Sequence, residues 1–156
     1  MNIVGLLNSE NVIPNLEAKD KEEALDKLIN LFESKVDEEE LEKIREAVLE
    51  REKIMSTGVG KGLAIPHGKA AGISRNYAAF AILENPIDYN AVDEQPVNLI
   101  FLLVGPQSSN SFHIKMLSRI SRLMNNNEFR EKLIRCTDTE QILDVFKQEE
   151  QVHFGS

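Results

Sequence analysis

Two short apolar runs in the middle of the chain constrain its fold more than any other feature. Residues 77–83 read Tyr-Ala-Ala-Phe-Ala-Ile-Leu and residues 97–104 read Val-Asn-Leu-Ile-Phe-Leu-Leu-Val, and turn-forming residues lie beside both runs. Apolar runs of this length are typical of strands that are buried on both faces. Residues 12–16 and 63–65 are weaker strand candidates. A sheet built from such strands needs an apolar layer on each side.

The segments around these runs have the helical period that two covering layers require. Residues 112–124 carry apolar side chains at helical spacing. Three pairs with capping-box spacing predict further helix starts: Asp20 with Glu23, Asp37 with Glu40, and Thr137 with Glu140. The pattern therefore predicts an α/β protein with helices on both sides of a small mixed β-sheet.

Composition and charge exclude several classes of protein. Eighteen Lys and Arg residues stand against 26 Asp and Glu residues, and the resulting net charge of −8 argues against a nucleic-acid partner. A single cysteine, Cys136, excludes an internal disulfide and a cysteine-based zinc site. No apolar run reaches the roughly 18 residues that span a bilayer, so membrane insertion is not expected. The N-terminal residues lack a secretory signal, and we expect a cytoplasmic location.

A glycine-rich segment holds the densest group of candidate functional residues. Residues 56–69 read Ser-Thr-Gly-Val-Gly-Lys-Gly-Leu-Ala-Ile-Pro-His-Gly-Lys. Alternating glycines allow close approach of a ligand to the backbone and expose N–H groups. The segment matches neither a Walker loop nor a dinucleotide fingerprint. On glycine spacing alone, it is either a flexible surface loop or an anion-binding turn.

Two histidines have sequence positions that suggest a site. His67 lies between Pro66 and Gly68, which predicts a constrained loop tip with the ring outside the apolar core. It is a candidate nucleophile, general base or metal ligand, or else a surface histidine without function. His113 lies in the first turn of a helix and shares its inward stripe, as a hydrogen-bonded core residue or as part of a site. Two separated histidines without a third partner disfavour zinc, and we expect no metal.

Arg51 is the third candidate. Its spacing from Ile44, Val48 and Met55 predicts that it lies on the inward stripe of the second helix. An arginine there needs an anion or a carboxylate partner, unless its long side chain reaches solvent. Arg51, His67, His113 and the Thr57 hydroxyl would together form an oxyanion or phosphate site.

The same residues resemble a known active-site signature. Residues 51–53 (Arg-Glu-Lys), 56–60 and 64–69 are similar to the signature of the enzyme IIA proteins of the bacterial phosphoenolpyruvate-dependent phosphotransferase system, in the fructose/mannitol/nitrogen-regulatory branch. The similarity continues through residues 86–89 and 93–97 to His113, and covers essentially the whole chain. It implies a three-layer α/β/α sandwich, with residues 1–150 as a single type-2 EIIA domain and residues 151–156 as a polar tail.

The resemblance also implies a phosphocarrier. In this family the histidine after the proline accepts a phosphoryl group from the carrier protein HPr or its nitrogen-branch relative, and an enzyme IIB cysteine receives it. That role corresponds to His67, the supporting histidine to His113, and the arginine before the signature to Arg51. Thr57, Gly58 and Gly60 are expected to bind phosphate through the glycine-rich turn. No cofactor is implied.

Two other functions remain open at this point. Residues 66–68 and 93–96 look slightly more like the nitrogen-regulatory branch, whose members bind regulated proteins according to the phosphorylation state of the histidine. A phosphorylation-dead interaction domain, like the related fold in the cytoplasmic regions of anion exchangers, is the third hypothesis. The presence of both His67 and His113 argues against it.

Overall fold

The computed structural model describes residues 2–155 and arranges them as helices around one sheet. The strands are β1 (Val12–Leu16), β2 (Gly58–Gly60), β3 (Leu63–Ala64), β4 (His67–Ala70), β5 (Tyr77–Ile87) and β6 (Val97–Pro106). The helices are α1 (Lys21–Asn30), α2 (Glu38–Ile54), α3 (Asn110–Met124), α4 (Asn127–Ile134) and α5 (Thr139–Phe154), with a short 3-10 helix at Val4–Leu6. Both apolar runs are strands, as predicted.

Strands β5 and β6 are the antiparallel centre of a mixed sheet. Phe80 of β5 pairs with Phe101 of β6, and the order across the sheet is β1-β5-β6-β3-β2. β1 runs parallel to β5, and β2 runs antiparallel to β3. β3 pairs in parallel with the first part of β6, and β4 pairs in parallel with its last part. This arrangement brings the start of β4 beside the end of β6.

Alternating side chains along β5 and β6 build two separate cores. Phe80 and Phe101 face α3, α4 and α5, where the Phe146 ring lies 5.0 Å from Phe80 and 5.8 Å from Phe101. Ala81 and Ile100 face the opposite side, where α1 and α2 cover the sheet. The period-two alternation of strand side chains therefore supplies an apolar face to each layer. The predicted three-layer α/β/α sandwich is confirmed.

Helix starts follow the predicted caps, with one exception. Asp37 and Glu40 form a complete capping box at the start of α2, at 2.8 and 3.0 Å. α5 was expected to start from Thr137, but its N-cap is Asp138, which accepts the Gln141 N–H at 2.9 Å. The carboxylate is the better N-cap acceptor because a negative charge also interacts favourably with the helix dipole.

The two ends of the described chain meet at one buried carboxylate. Glu150 of α5 accepts the backbone N–H groups of Ile3 at 2.6 Å and Val4 at 3.0 Å. Its partner charge is Arg119 of α3, whose Nε lies 2.9 Å away. α5 continues to Phe154, so residues 151–154 of the predicted polar tail are helical. No helix among residues 2–155 is long and apolar enough to cross a membrane.

Candidate functional site

His67 begins strand β4 and is not at a loop tip as predicted. It pairs with Leu103 of β6, and the Pro66 carbonyl accepts the Leu103 N–H at 3.1 Å. The ring Nδ1 lies 2.9 Å from the Ile65 carbonyl oxygen. Because a carbonyl oxygen only accepts, the neutral ring carries its hydrogen on Nδ1 and keeps its lone pair on Nε2. The fold thus fixes which nitrogen of His67 can act as a nucleophile.

The environment of His67 favours the neutral ring. Burial lowers the pKa of His67 below its ordinary value of 6.5, and the hydrogen bond to Ile65 opposes that change. The charge of Arg51 lowers this pKa further, while the charge of Glu52 raises it. A neutral imidazole is the form that has a free lone pair at Nε2.

Gly68 explains why helix α2 lies so close to this histidine. A Cβ atom at position 68 would lie 3.0 Å from the backbone of both Ala47 and Val48. Any side chain here would therefore push α2 away from β4. The close packing brings the C-terminal turn of α2, with Arg51, beside His67.

His113 approaches His67 from the other layer. It lies in the first turn of α3, is only 4% exposed, and its ring centroid lies 5.8 Å from that of His67. Burial, with further contributions from the charges of His67 and Lys69, lowers the pKa of His113 from 6.5 to about 4. Its Nδ1 is buried and has no hydrogen-bond partner among the described residues.

One open cavity of about 750 Å³ connects the three predicted residues. His67, His113 and Arg51, which are far apart in sequence, all line it. It also contains charged residues of both signs: Lys43, Lys69, Glu46 and Glu50. We call this space the histidine cavity; its three cations, Lys43, Arg51 and Lys69, outnumber its two carboxylates, Glu46 and Glu50, which suits a small anionic group.

Arg51 lies at the edge of α2 and not on its inward stripe, so that part of the prediction is wrong. The buried positions of α2 are Ile44, Val48 and Glu52, a strict four-residue step. Arg51 is half-buried, and its Nη1 donates to the Met55 carbonyl at 2.8 Å. Its charge therefore stays at the histidine cavity without requiring a buried partner.

Glu52 is a buried charged residue of α2 that was not predicted from the sequence. Its carboxylate accepts the Thr57 N–H at 2.7 Å, the Thr57 hydroxyl at 2.5 Å and the Tyr89 hydroxyl at 3.2 Å, and pairs with Lys21 Nζ at 2.8 Å. We call these four residues the Glu52 network. Burial and the Glu52 charge raise the pKa of Tyr89 far above its usual range. The sequence signal for the burial of Glu52 is its position four residues after Val48, which continues the buried stripe of α2.

The Glu52 network connects to His67 through one backbone–backbone hydrogen bond and one bond from the His67 ring to a backbone carbonyl. Thr57, held by Glu52, accepts the Ile65 N–H on its carbonyl at 3.0 Å. The Ile65 carbonyl in turn holds the His67 ring. The buried carboxylate thus fixes the peptide segment that selects the tautomer of His67.

Thr57, Gly58 and Gly60 are not among the residues that line the histidine cavity. The Thr57 hydroxyl is directed into the Glu52 network. A Cβ at Gly58 would lie 2.8 Å from Ala91, and Gly60 has φ +101° and lies against Asp93. These positions have clear packing roles, and phosphate binding by them stays a prediction.

The three-layer sandwich with a mixed sheet is the fold of the phosphotransferase IIA proteins, as the comparison with a solved nitrogen regulatory IIA protein shows. The chain belongs to the family described as "Phosphoenolpyruvate-dependent sugar phosphotransferase system, EIIA 2", whose model matches residues 5–149. As a member of this family, the chain is a phosphotransferase component.

Nitrogen regulatory proteins and a fructose-specific phosphotransferase component are both similar to this chain. A nitrogen regulatory protein of Bradyrhizobium diazoefficiens is 37% identical over 145 residues, which are 93% of this chain and 94% of that protein. The fructose-specific EIIABC component of Bacillus subtilis is 32% identical over 95% of this chain, which spans only 23% of that protein. The crystal structure of the nitrogen regulatory protein IIA-Ntr from Neisseria meningitidis gives a TM-score of 0.84 at 29% identity, covering 92% of this chain and 98% of that one.

Proposed function

We propose that this chain is a phosphocarrier in which Nε2 of His67 accepts a phosphoryl group. The donor is phosphorylated HPr or its nitrogen-branch relative, and the acceptor is a cysteine of an enzyme IIB. The observation that carries the proposal is the 2.9 Å contact between His67 Nδ1 and the Ile65 carbonyl, which leaves Nε2 as the nucleophilic atom.

The transfer balances without net movement of a proton. In the first step the N–P bond of the donor phosphohistidine breaks while the Nε2–P bond of His67 forms, and the donor nitrogen regains its lone pair. His67 keeps its Nδ1 hydrogen on the Ile65 carbonyl throughout. In the second step a cysteine thiolate forms an S–P bond, the Nε2–P bond breaks, and Nε2 regains its lone pair.

Groups around the histidine cavity stabilise the transferring phosphoryl group. Its charge is spread over three oxygens, so several donors contribute at once. His113 and Arg51 line the same cavity as His67 and supply an imidazole N–H and a guanidinium. Lys69 adds a further cation at the cavity edge.

A nitrogen-regulatory function is the second candidate. The 37% identity to a nitrogen regulatory protein over 94% of its length favours it. In that case phosphorylation of His67 changes the affinity for a regulated protein, and no sugar component receives the group.

The test of the phosphocarrier function is phosphorylation with labelled phosphoenolpyruvate, enzyme I and HPr. The wild-type chain should gain an acid-labile, base-stable label, and His67→Ala should gain none. His153→Ala is the matched control, because that histidine pairs with Glu149 outside the histidine cavity. A label that persists in folded His67→Ala would overturn the assignment.

Transfer from the labelled chain distinguishes the two functions. Chase with a fructose-type or mannitol-type IIB domain should move the label to cysteine if the chain serves transport. Stable retention of the label, with a change in binding to a regulated protein, would favour the regulatory function. Neighbouring genes for IIB and IIC components would favour transport.

A further inference from the structure

Two buried polar atoms near Gly105 lack partners among the described residues. They are Nδ1 of His113 and Oδ1 of Asn76. Buried polar groups are satisfied in the great majority of cases, because an unpaired group loses its hydrogen bonds to water without replacement. Two such atoms in one place therefore call for a joint explanation.

The sheet brings these two atoms to the same point. Tyr77 of β5 pairs with Val104 of β6 in an antiparallel ladder, so Asn76 and Gly105 lie opposite each other at its end. A Cβ on Gly105 would lie 2.5 Å from Asn76 Oδ1 and 3.3 Å from His113 Nδ1. Glycine at position 105 is what allows the amide and the imidazole to share this space.

His113 needs a defined tautomer for the role described above. Its Nδ1 is buried against Gly105, so Nε2 is the ring nitrogen available to the histidine cavity. With a pKa near 4 the ring is neutral at pH 7 and carries only one hydrogen. The ring donates to a phosphoryl group only if that hydrogen is on Nε2.

We propose that Asn76 is a positioning residue that holds His113 in the Nε2–H tautomer. It does so through its NH2 group, with the amide turned by 180° so that Nδ2 takes the place of Oδ1 and donates to Nδ1, or through one water molecule that donates both to Asn76 Oδ1 and to His113 Nδ1. Both routes make Nδ1 an acceptor and leave the hydrogen on Nε2. This inference rests on the proposed phosphocarrier function.

The first test reads the tautomer directly in the unphosphorylated wild-type protein. Long-range ¹H–¹⁵N correlation spectra of the ¹⁵N-labelled chain at pH 7.5 distinguish protonated from unprotonated ring nitrogens. We expect His113 to show a protonated Nε2 and an unprotonated Nδ1. A protonated Nδ1 would overturn the proposal, because it would mean that Asn76 Oδ1 accepts directly from the ring. This measurement needs no variant.

Two variants test whether Asn76 is the cause. Asn76→Ala should give a mixture of His113 tautomers and slow onward phosphoryl transfer about tenfold. Asn76→Asp should move the hydrogen to Nδ1 and raise the His113 pKa, since a carboxylate only accepts. The titratable groups His67 and Lys69 act on the same ring in the opposite direction, because each lowers the His113 pKa. Unchanged His113 spectra in both variants would overturn the proposal.

The control is Ser74→Ala, an exposed substitution two residues away, which should change neither reading. Because the tautomer is measured without phosphate, the Asn76 proposal and the phosphocarrier function fail separately. Absence of a label on His67 would contradict only the phosphocarrier function. An unchanged His113 tautomer in the Asn76 variants would contradict only the proposal for Asn76.

Discussion

At the scale of single residues, the two histidines of the site are held in opposite ways. His67 hydrogen-bonds a backbone carbonyl through Nδ1, whereas the Nδ1 of His113 lies beside a side-chain amide. The fold therefore leaves Nε2 of His67 with a free lone pair, the atom that attacks in the proposed function, and the inferred contact with Asn76 gives His113 the hydrogen on Nε2 that its proposed donor role needs. Both rings are neutral in the pH range where the protein would work, since burial lowers both pKa values.

His113→Ala should separate acceptance of the phosphoryl group from its onward transfer. The variant keeps the His67 nucleophile, so we expect it still to be phosphorylated. Transfer to the acceptor should fall by about 10²–10³, the usual effect of removing one donor to a developing anion. Rapid-quench measurement of label loss tests this. Normal onward transfer, or loss of all acceptance by a folded variant, would contradict the supporting role.

Arg51→Lys should slow phosphoryl transfer with little change in melting temperature. The guanidinium holds the Met55 carbonyl with Nη1 while its other nitrogens remain available to the histidine cavity. A lysine has one nitrogen and cannot serve both sites with a planar fork. Transfer kinetics and thermal unfolding should be measured together. A large loss of stability with normal transfer would instead identify a structural residue.

At the scale of secondary structure elements, the Glu52 network links α1, α2 and the segment that begins β2. Glu52→Ala should lower the free energy of unfolding by about 3–5 kcal/mol, because it leaves the charge of Lys21 and the Thr57 and Tyr89 donors without their partner. Glu46→Ala, an exposed site on the same helix, should change it by less than about 0.5 kcal/mol. Urea unfolding provides the comparison. Equal effects of the two substitutions would show that the network does not stabilise the fold.

The same elements show what could be predicted from sequence. The long strands and the capped helices followed from apolar spacing, because each signal is local. β2 and β4 contain two and one glycines, and exist because β3 and β6 offer them hydrogen bonds. Such dependence on a distant partner has no local signature. Glu52 continues the four-residue step from Val48, but in a glutamate-rich helix that spacing alone is a weak signal, and the burial of its distant partners is what distinguishes it.

At the scale of the whole molecule, the stability should depend on pH through His113. Its pKa is about 4 in the folded chain and 6.5 for an ordinary histidine, so the unfolded chain binds more protons between these values. The free energy of unfolding should therefore fall as the pH drops from about 6.5 towards 4. Urea unfolding of the wild type and of His113→Gln at several pH values measures the difference. Parallel curves for the two proteins would contradict the prediction.

Glu150 has a consequence for how this domain relates to any polypeptide that contains it. One carboxylate near the end of the last helix holds the first residues of the described chain, so the entry and exit points of the domain lie close together. A domain whose two ends lie side by side projects from a longer polypeptide. The segments before and after it then stay close together in space. It would tolerate a new partner at either end, or a circular rearrangement of its own sequence, provided that this carboxylate keeps its two backbone donors.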